Sequence, residues 1–305
     1  MPLVTVIIPN YNHAPYLKQR IDSVVDQTFR DFELIILDDC STDNSAEIIE
    51  QYRGHEKVKR IIYNEVNTGS PFKQWKKGIE LAESEYIWIA ESDDVASLEF
   101  LESLTPLLDG NRQCAFAFCD STTDYDIFSN QKLQPNAENK LYTGEDFIYQ
   151  HNINAQFVNA SCVVFRKDKI NQQVLLDFGN FKSSGDWLFW TSLALKGDVV
   201  RYHQILNFYR RHETSVSGIA YSNGKYLPES FKLMQYFKSN LEVYPSKLQD
   251  KKWAAAWART TLQKTVKIDS LMGEAFSLSK RLLLYYIYYL VKYRFYNRFG
   301  KTKFY

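Results

Sequence analysis

Residues 4–12 read VTVIIPNYN and residues 32–43 read FELIILDDCSTD. Each is a short apolar, β-branched run that stops at polar, turn-forming residues, as a buried strand does at its end in an open α/β sheet. Similar runs occur at 58–63, 86–90 and 115–119. Between the first two, Leu17, Ile21, Val24, Val25 and Thr28 recur on one helical face introduced by Pro15. Phe72, Trp75, Ile79 and Ala82 repeat that pattern, and Ser97 is placed to cap a helix burying Phe100, Leu101, Leu104 and Leu108. Strands alternating with helices predict an α/β fold, with a mostly parallel, doubly wound sheet built by right-handed crossovers.

The alternation weakens further along the chain. Residues 120–146 are polar and read as a long surface loop. An apolar run at 160–165, a helix over 186–195 and a strand over 205–209 follow. Beyond residue 220 the pattern is helical, over 231–241, 251–266 and 272–296. The chain is thus expected to divide into an α/β domain over 1–220 and a helical extension over 221–305.

Composition bounds what such a chain does. Of 305 residues, 45% are hydrophobic and 15% aromatic, enough for a substantial core and too many for a disordered chain. The formal charge of +1 gives no reason to expect nucleic acid as the partner. That sum conceals an asymmetry, because residues 1–279 hold 30 basic and all 36 acidic side chains while residues 280–305 hold seven basic and no acidic ones. Cys40, Cys114, Cys119 and Cys162 form no CxxC pair, so a reduced, cytoplasmic compartment is expected. The N-terminus has no basic n-region and reads as the start of the fold rather than a signal peptide. The longest apolar candidate for a span, Leu282 to Val291, is about half the length a membrane span needs and contains four tyrosines.

In an open α/β sheet, ligands bind beyond the carboxyl ends of the strands. Those ends here carry Pro9-Asn10-Tyr11-Asn12, Asp38 to Asp43, Asn64 to Gly69, and Glu91-Ser92-Asp93-Asp94. Neither GxGxxG nor GxxxxGK[ST] is present, so glycine loops do not hold a phosphate here. Asp93-Asp94 offers oxygen ligands for Mg²⁺ or Mn²⁺, and a metal would let an acidic rim bind an anion. The same pair, like Asp38-Asp39, is equally able to cap the helix that follows.

VTVIIPNYN, FELIILDDCSTDNS and NTGSPFKQWKKGIELAESEYIWIAESDD, in this order, resemble the family 2 glycosyltransferases. That resemblance implies the GT-A nucleotide-sugar fold over about residues 3–217 and a nucleoside diphosphate sugar as donor. It implies that Pro9, Tyr11 and Asn12 line the base and ribose, that Asp39 recognises the base, and that Asn67 and Lys73 join the donor contacts. Asp93 and Asp94 fall on the pair handling ribose and a divalent Mn²⁺ or Mg²⁺. Asp186, in GDWLFW, falls on the general base of a single, inverting displacement, and Arg210 and His212, in YRRHETSVS, face the diphosphate and metal. Asn159 and Trp187 fall on the side of the acceptor, a glycan or lipid-linked hydroxyl. Two positions depart from the pattern: KQWKKG stands where many relatives carry ARNxG, and Gly185 stands where an acidic residue precedes the base.

Residues 279–305 mix ten aromatic with seven basic side chains. One reading is an interfacial helix at the inner face of the membrane. The other is a terminal helix packed on the chain itself or on a second copy in a homo-oligomer. The rival functions are a sugar nucleotidyltransferase, which should open with a glycine-rich phosphate loop, and a non-catalytic scaffold.

Overall fold

The computed structural model describes residues 1–134, 138–152, 159–212, 226–242, 247–262, 273, 276–277 and 279–299. It divides into two compact units, Met1–His212 and Glu213–Tyr305.

In the first unit, β1 (Val4–Asn10), β2 (Phe32–Asp38), β3 (Val58–Tyr63) and β4 (Tyr86–Ile89) pair in parallel in the order β3-β2-β1-β4. Every residue of β1, β2 and β4 is buried, which explains their unbroken apolar runs. Their crossovers are α1 (Ala14–Val25), α2 (Ser45–Glu50) and α3 (Pro71–Leu81). Gly78 of α3 lies on β1, where an added Cβ would come 2.5 Å from Ile7 Cγ2, so the helix packs at a distance only glycine allows. The strand order reverses between β1 and β4, opening the crevice in which such sheets bind ligands.

The second half of the sheet is mixed. β8 (Val163–Arg166) lies antiparallel between β4 and β6 (Cys114–Thr122), so the 115–119 run does not follow β4 directly. β9 (Asp198–Phe208) runs parallel to β6, with β5 (Val95–Ala96) and β7 (Asn139–Tyr142) antiparallel to it. The 120–146 segment is therefore not a plain loop. It completes β6, forms α5 (Tyr125–Asn130) under an Asp124 cap, contributes β7, and turns into α6 (Gly144–Phe147) under a Thr143 cap. These elements are short and mostly exposed, so they leave little hydrophobic period in the sequence. β9 is also longer than expected, because its first half carries the half-exposed Asp198, Arg201, Tyr202 and His203, with only Val199 and Val200 buried.

Helix α4 (Phe100–Asp109) buries Phe100, Leu101, Leu104 and Leu108 as predicted, yet its cap position is Glu99 rather than Ser97. Ser97 instead contributes its carbonyl, which accepts from Gln27 Nε2 at 2.7 Å. Below the sheet, α7 (Gln172–Phe178) and α8 (Gly185–Ala194) add Phe178, Phe189 and Trp190 to an aromatic layer with Trp75, Phe116 and Phe165.

The second unit contains helices Leu227–Asn240, Lys247–Leu262 and Lys280–Phe299. Its core joins Met234, Ala254, Trp257, Ala258, Leu282, Tyr286 and Tyr293. The last helix begins at Lys280, after Ser279 Oγ turns to Asp250 Oδ2 at 2.9 Å, rather than running unbroken from 272. The predicted helical stretch over 263–266, and the segment 213–217 of the YRRHETSVS motif, lie outside the described residues.

Candidate functional site

The carboxyl ends of β1, β2 and β4 meet at the point where the strand order reverses. β1 ends in a turn in which Asn12 takes φ 55°, and β2 ends in one in which Cys40 takes φ 62°. A left-handed backbone at non-glycine residues is held only by surrounding contacts. Those contacts are explicit: Asn12 Oδ1 accepts from Thr42 N at 2.7 Å, and Ser41 Oγ accepts from Asn12 N at 2.9 Å. Asp38 closes the turn, accepting from Asn10 Nδ2 and Ser41 Oγ at 2.7 and 2.6 Å. Pro9 is buried in β1, whereas Tyr11 is 45% exposed and presents its ring to solvent.

Asp39 is buried and serves as the anchor of the loop after β3. Its carboxylate accepts from Asn64 Nδ2 (2.7 Å), Thr68 Oγ1 (2.8 Å), Gln74 Nε2 (2.8 Å) and the Thr68 amide (3.0 Å). Asn67 donates to the Asp39 carbonyl at 3.2 Å, and Lys73 Nζ donates to the Thr68 carbonyl at 3.1 Å. Asp39, Asn67 and Lys73 thus belong to one hydrogen-bonded loop.

Downstream of β4 the structure brings Asp93, Asp94, Asn159, Arg210 and His212 together. Asp94 is 1% exposed and turned inward. It accepts from the Arg210 amide at 3.0 Å and from Asn159 Nδ2, and Arg20 Nη2 stands 4.0 Å away. Burial and the neighbouring Asp93 raise its pKa. Asp93 is the more accessible carboxylate of the two, and its Oδ2 lies 2.8 Å from His212 Nε2. Burial pushes Asp93 upward, but the hydrogen bond from His212 and the nearby His13 outweigh it, and its pKa falls below the ordinary value. Of the predicted metal pair, then, the carboxylate in contact with the predicted histidine is Asp93, while Asp94 is committed to fixing the Arg210 segment. Arg210 donates Nε to the Asp93 carbonyl at 2.8 Å and Nη2 to Gln19 at 2.7 Å, and its guanidinium lies 4.8 Å over the Tyr16 ring.

Asn159, expected on the acceptor side, bridges instead between Asp94 and Asn207, accepting from Asn207 Nδ2 at 3.2 Å. Asp186 and Trp187 are half-buried in the first turn of α8. The structure accounts for Gly185, because an added Cβ would lie 2.8 Å from the Phe72 ring and 3.0 Å from Phe181 Cβ. The preceding acidic side chain has no room here.

Two further residues of the site, His13 and Arg20, go beyond the sequence-based expectations, and Glu91, named there only as part of a strand end, takes a definite place. His13 sits at the start of α1, where Nδ1 lies 2.7 Å from Ser92 Oγ and the ring is 5.4 Å from that of His212. His13, Asp93 and His212 each offer a ligand atom, all within 4.8 Å of one another. Donor atoms around one dication at about 2.1 Å stand about 3–4.2 Å apart, so this set fits an ion after a closure of about 0.6–1.8 Å. Glu91 accepts from Trp75 Nε1 at 2.7 Å, and desolvation, then Asp93, pushes its pKa up to about 8. Arg20 is fully buried beneath these carboxylates; its Nε donates to the Glu91 carbonyl at 2.8 Å, and neither Nη atom has a hydrogen-bond partner. Desolvation lowers it to about 10 despite Asp94 and Asp93. A signal for Arg20 existed, since it lies three residues after Leu17 and four before Val24, a charge on the apolar face of α1.

With this geometry in view, the sequence profile of glycosyl transferase family 2 matches residues 5–173, more than half of the chain. The chain belongs to glycosyl transferase family 2. It is 28% identical over 217 residues to a Bacillus subtilis (strain 168) protein, TuaG, provisionally named as a teichuronic acid biosynthesis glycosyltransferase, covering 71% of this chain and 82% of that one. Over a shorter stretch of 107 residues, 34% of this chain and 18% of the relative, it is 34% identical to the poly(ribitol-phosphate) beta-N-acetylglucosaminyltransferase TarS of Staphylococcus aureus (strain Mu50 / ATCC 700699). Residues 1–349 of S. aureus TarS, solved in complex with UDP-GlcNAc, share its fold at a TM-score of 0.59 and 20% identity, over 84% of this chain and 72% of that one. The mannosyltransferase PcManGT from Pyrobaculum calidifontis, solved with GDP-Man and Mn²⁺, does so at 0.55 and 15%, over 99% and 88%. This family 2 chain is accordingly a glycosyltransferase with the GT-A fold that the resemblance implied.

Proposed function

We propose that this glycosyltransferase transfers a sugar from a nucleoside diphosphate donor to a hydroxyl of a cell-envelope polymer, with inversion in one displacement. The observation that carries the reading is the Asp93–His212 pair at the carboxyl end of β4, fixed by Arg210 at the reversal of the sheet. Asp93 and His212 would hold a divalent ion, Mn²⁺ or Mg²⁺, which supplies positive charge to the departing diphosphate when bound. Pro9, Tyr11 and Asn12 provide the wall for base and ribose, with the Asp39-anchored loop of Asn67 and Lys73 on its other side. Asp186 takes the proton of the attacking hydroxyl from the face opposite the leaving group, and Trp187 lines the acceptor path. Asp94 and Asn159 keep Arg210 and the turn after β4 in register. The names of TuaG and TarS support a wall-polymer acceptor, and the donors bound to TarS and PcManGT support a nucleotide sugar.

The C-terminal helix adds a membrane role. Among the described residues no helix is long and apolar enough to cross a membrane. Lys280–Phe299 nevertheless has two distinct faces. Leu282, Tyr286 and Tyr293 are buried in the helical unit, while Leu284, Ile287, Tyr288, Val291 and Phe295 form an exposed stripe at helical spacing, with Leu284 67% and Phe295 60% exposed. Basic residues and no acidic ones accompany it, so an anionic lipid surface at the inner face of the membrane complements it, whereas a second copy would oppose like charges.

The test is transfer from a panel of nucleotide sugars to wall-polymer acceptors with Mn²⁺ or Mg²⁺. Wild type should use at least one donor, and Asp186→Asn and Asp93→Asn should each lose on the order of 10²-fold or more in kcat. Full activity in both variants would refute the assignment.

A further inference from the structure

We propose that His13 is a third protein ligand, so that His13, Asp93 and His212 form a two-histidine, one-carboxylate site selecting a transition-metal dication such as Mn²⁺ over Mg²⁺. The proposal rests on the metal reading above and adds to it both a residue and a choice of ion.

Three observations support it. His13, Asp93 and His212 are all half-buried and converge from three segments of one unit, the start of α1, the turn after β4 and the chain after β9. Their donor atoms already lie within 4.8 Å of one another. The His13 ring is also oriented from behind, because Nδ1 is engaged with Ser92 Oγ at 2.7 Å, and Ser92 is the residue immediately before Asp93. Histidine ligands are characteristically held by such a second contact on the ring, which fixes its direction and basicity.

The donor set then decides the ion. Mg²⁺ demands oxygen ligands, keeps several waters, and gains little from imidazole nitrogen. Two imidazoles with one carboxylate form the set that suits Mn²⁺ and its later first-row neighbours, and it leaves further coordination positions open for phosphate oxygens. Asp94, which would have made the site oxygen-rich, is held inward by Arg210 and Asn159. His13 therefore converts a site that would accept either ion into one that discriminates.

The experiment uses the full chain and the metal alone. Calorimetric titration of wild type with Mn²⁺ and separately with Mg²⁺ should give Mn²⁺ binding at least about 30-fold tighter, and His13→Ala should weaken Mn²⁺ by about tenfold or more while changing Mg²⁺ little. Pulsed EPR of Mn²⁺-loaded wild type provides a readout that needs no variant, and it should count two imidazole nitrogens. One nitrogen, or Mn²⁺ affinity unchanged in His13→Ala but lost in His212→Ala, overturns the role of His13 while leaving the metal reading intact. No Mn²⁺ binding by wild type overturns both.

Discussion

The backbone amide of Arg210 donates to Asp94 Oδ1 at 3.0 Å, joining residues 116 positions apart in the sequence. Asp94 ends the segment after β4, and Arg210 follows the end of β9, so one buried carboxylate sets the spacing between two halves of the sheet. Its companion Asp93 is thereby left facing His212. The adjacent carboxylates divide the labour, one holding the backbone and the other presented to the crevice.

Arg20 balances that buried carboxylate from below. Removing one partner of a buried charge pair leaves the other uncompensated, so Arg20→Met should lower the unfolding free energy by about 3 kcal/mol in urea denaturation. Combining it with Asp94→Asn should recover part of the loss, because the stranded charge is gone. Strict additivity of the two effects would show that Arg20 and Asp94 act independently.

Gly144 opens α6 against the end of α8. A Cβ there would come 1.7 Å from the Ala194 carbonyl oxygen and 2.6 Å from that of Gly197, both backbone atoms that no rotamer change can move. Gly144→Ala should cost about 2–3 kcal/mol or more, read as a lowered Tm, and loss of under about 0.5 kcal/mol would contradict the close approach.

Asp250 offers a pH test within the helical unit. Its side chain is buried in the helical unit, and desolvation raises its pKa against the opposing contacts from Ser279 and Arg281. A carboxyl whose folded pKa lies above its unfolded value favours folding while protonated. That contribution is full below the unfolded value and is lost as pH rises through the folded one. The stability of Asp250→Asn relative to wild type should therefore increase from about pH 4 to pH 7, and a difference that falls with rising pH would reverse the sign of the effect.

The stripe on Lys280–Phe299 predicts a binding phenotype without a folding one. Replacing Leu284, Ile287, Val291 and Phe295 with Ser should leave the folding free energy nearly unchanged, since all four are exposed. Sedimentation with phosphatidylglycerol vesicles should weaken by at least about tenfold, and phosphatidylcholine vesicles should bind poorly to wild type. Equal binding to both vesicle types, or self-association that vanishes in the variant, would argue against a lipid partner.

The strands β1, β2 and β4 and helices α1 and α3 were legible because full burial writes unbroken apolar runs and clean helical spacing into the sequence. β8 was legible as an apolar run but not as the strand that splits β4 from β6, because pairing partners are a long-range property. The 120–146 elements were missed because their exposed faces carry no hydrophobic period. Within the candidate site, Asp93, Asp94 and His212 stand out in the sequence through their motif context. His13 carries no such context in the sequence: Asp93 and His212 lie 80 and 199 residues away, and only the fold brings them together. The aromatic, basic tail invited two readings; Leu282, Tyr286 and Tyr293 pack within the helical unit, and the exposed stripe is what the vesicle experiment tests.

A single displacement from a nucleotide sugar inverts the anomeric centre, so the configuration of the sugar as it leaves the enzyme is the decisive readout for the proposed mechanism. Proton NMR of the reaction with an α-linked nucleotide sugar, recorded during early turnover, resolves the anomeric coupling of the first-formed product. Single displacement gives a β-configured product, and an α-configured product would exclude it.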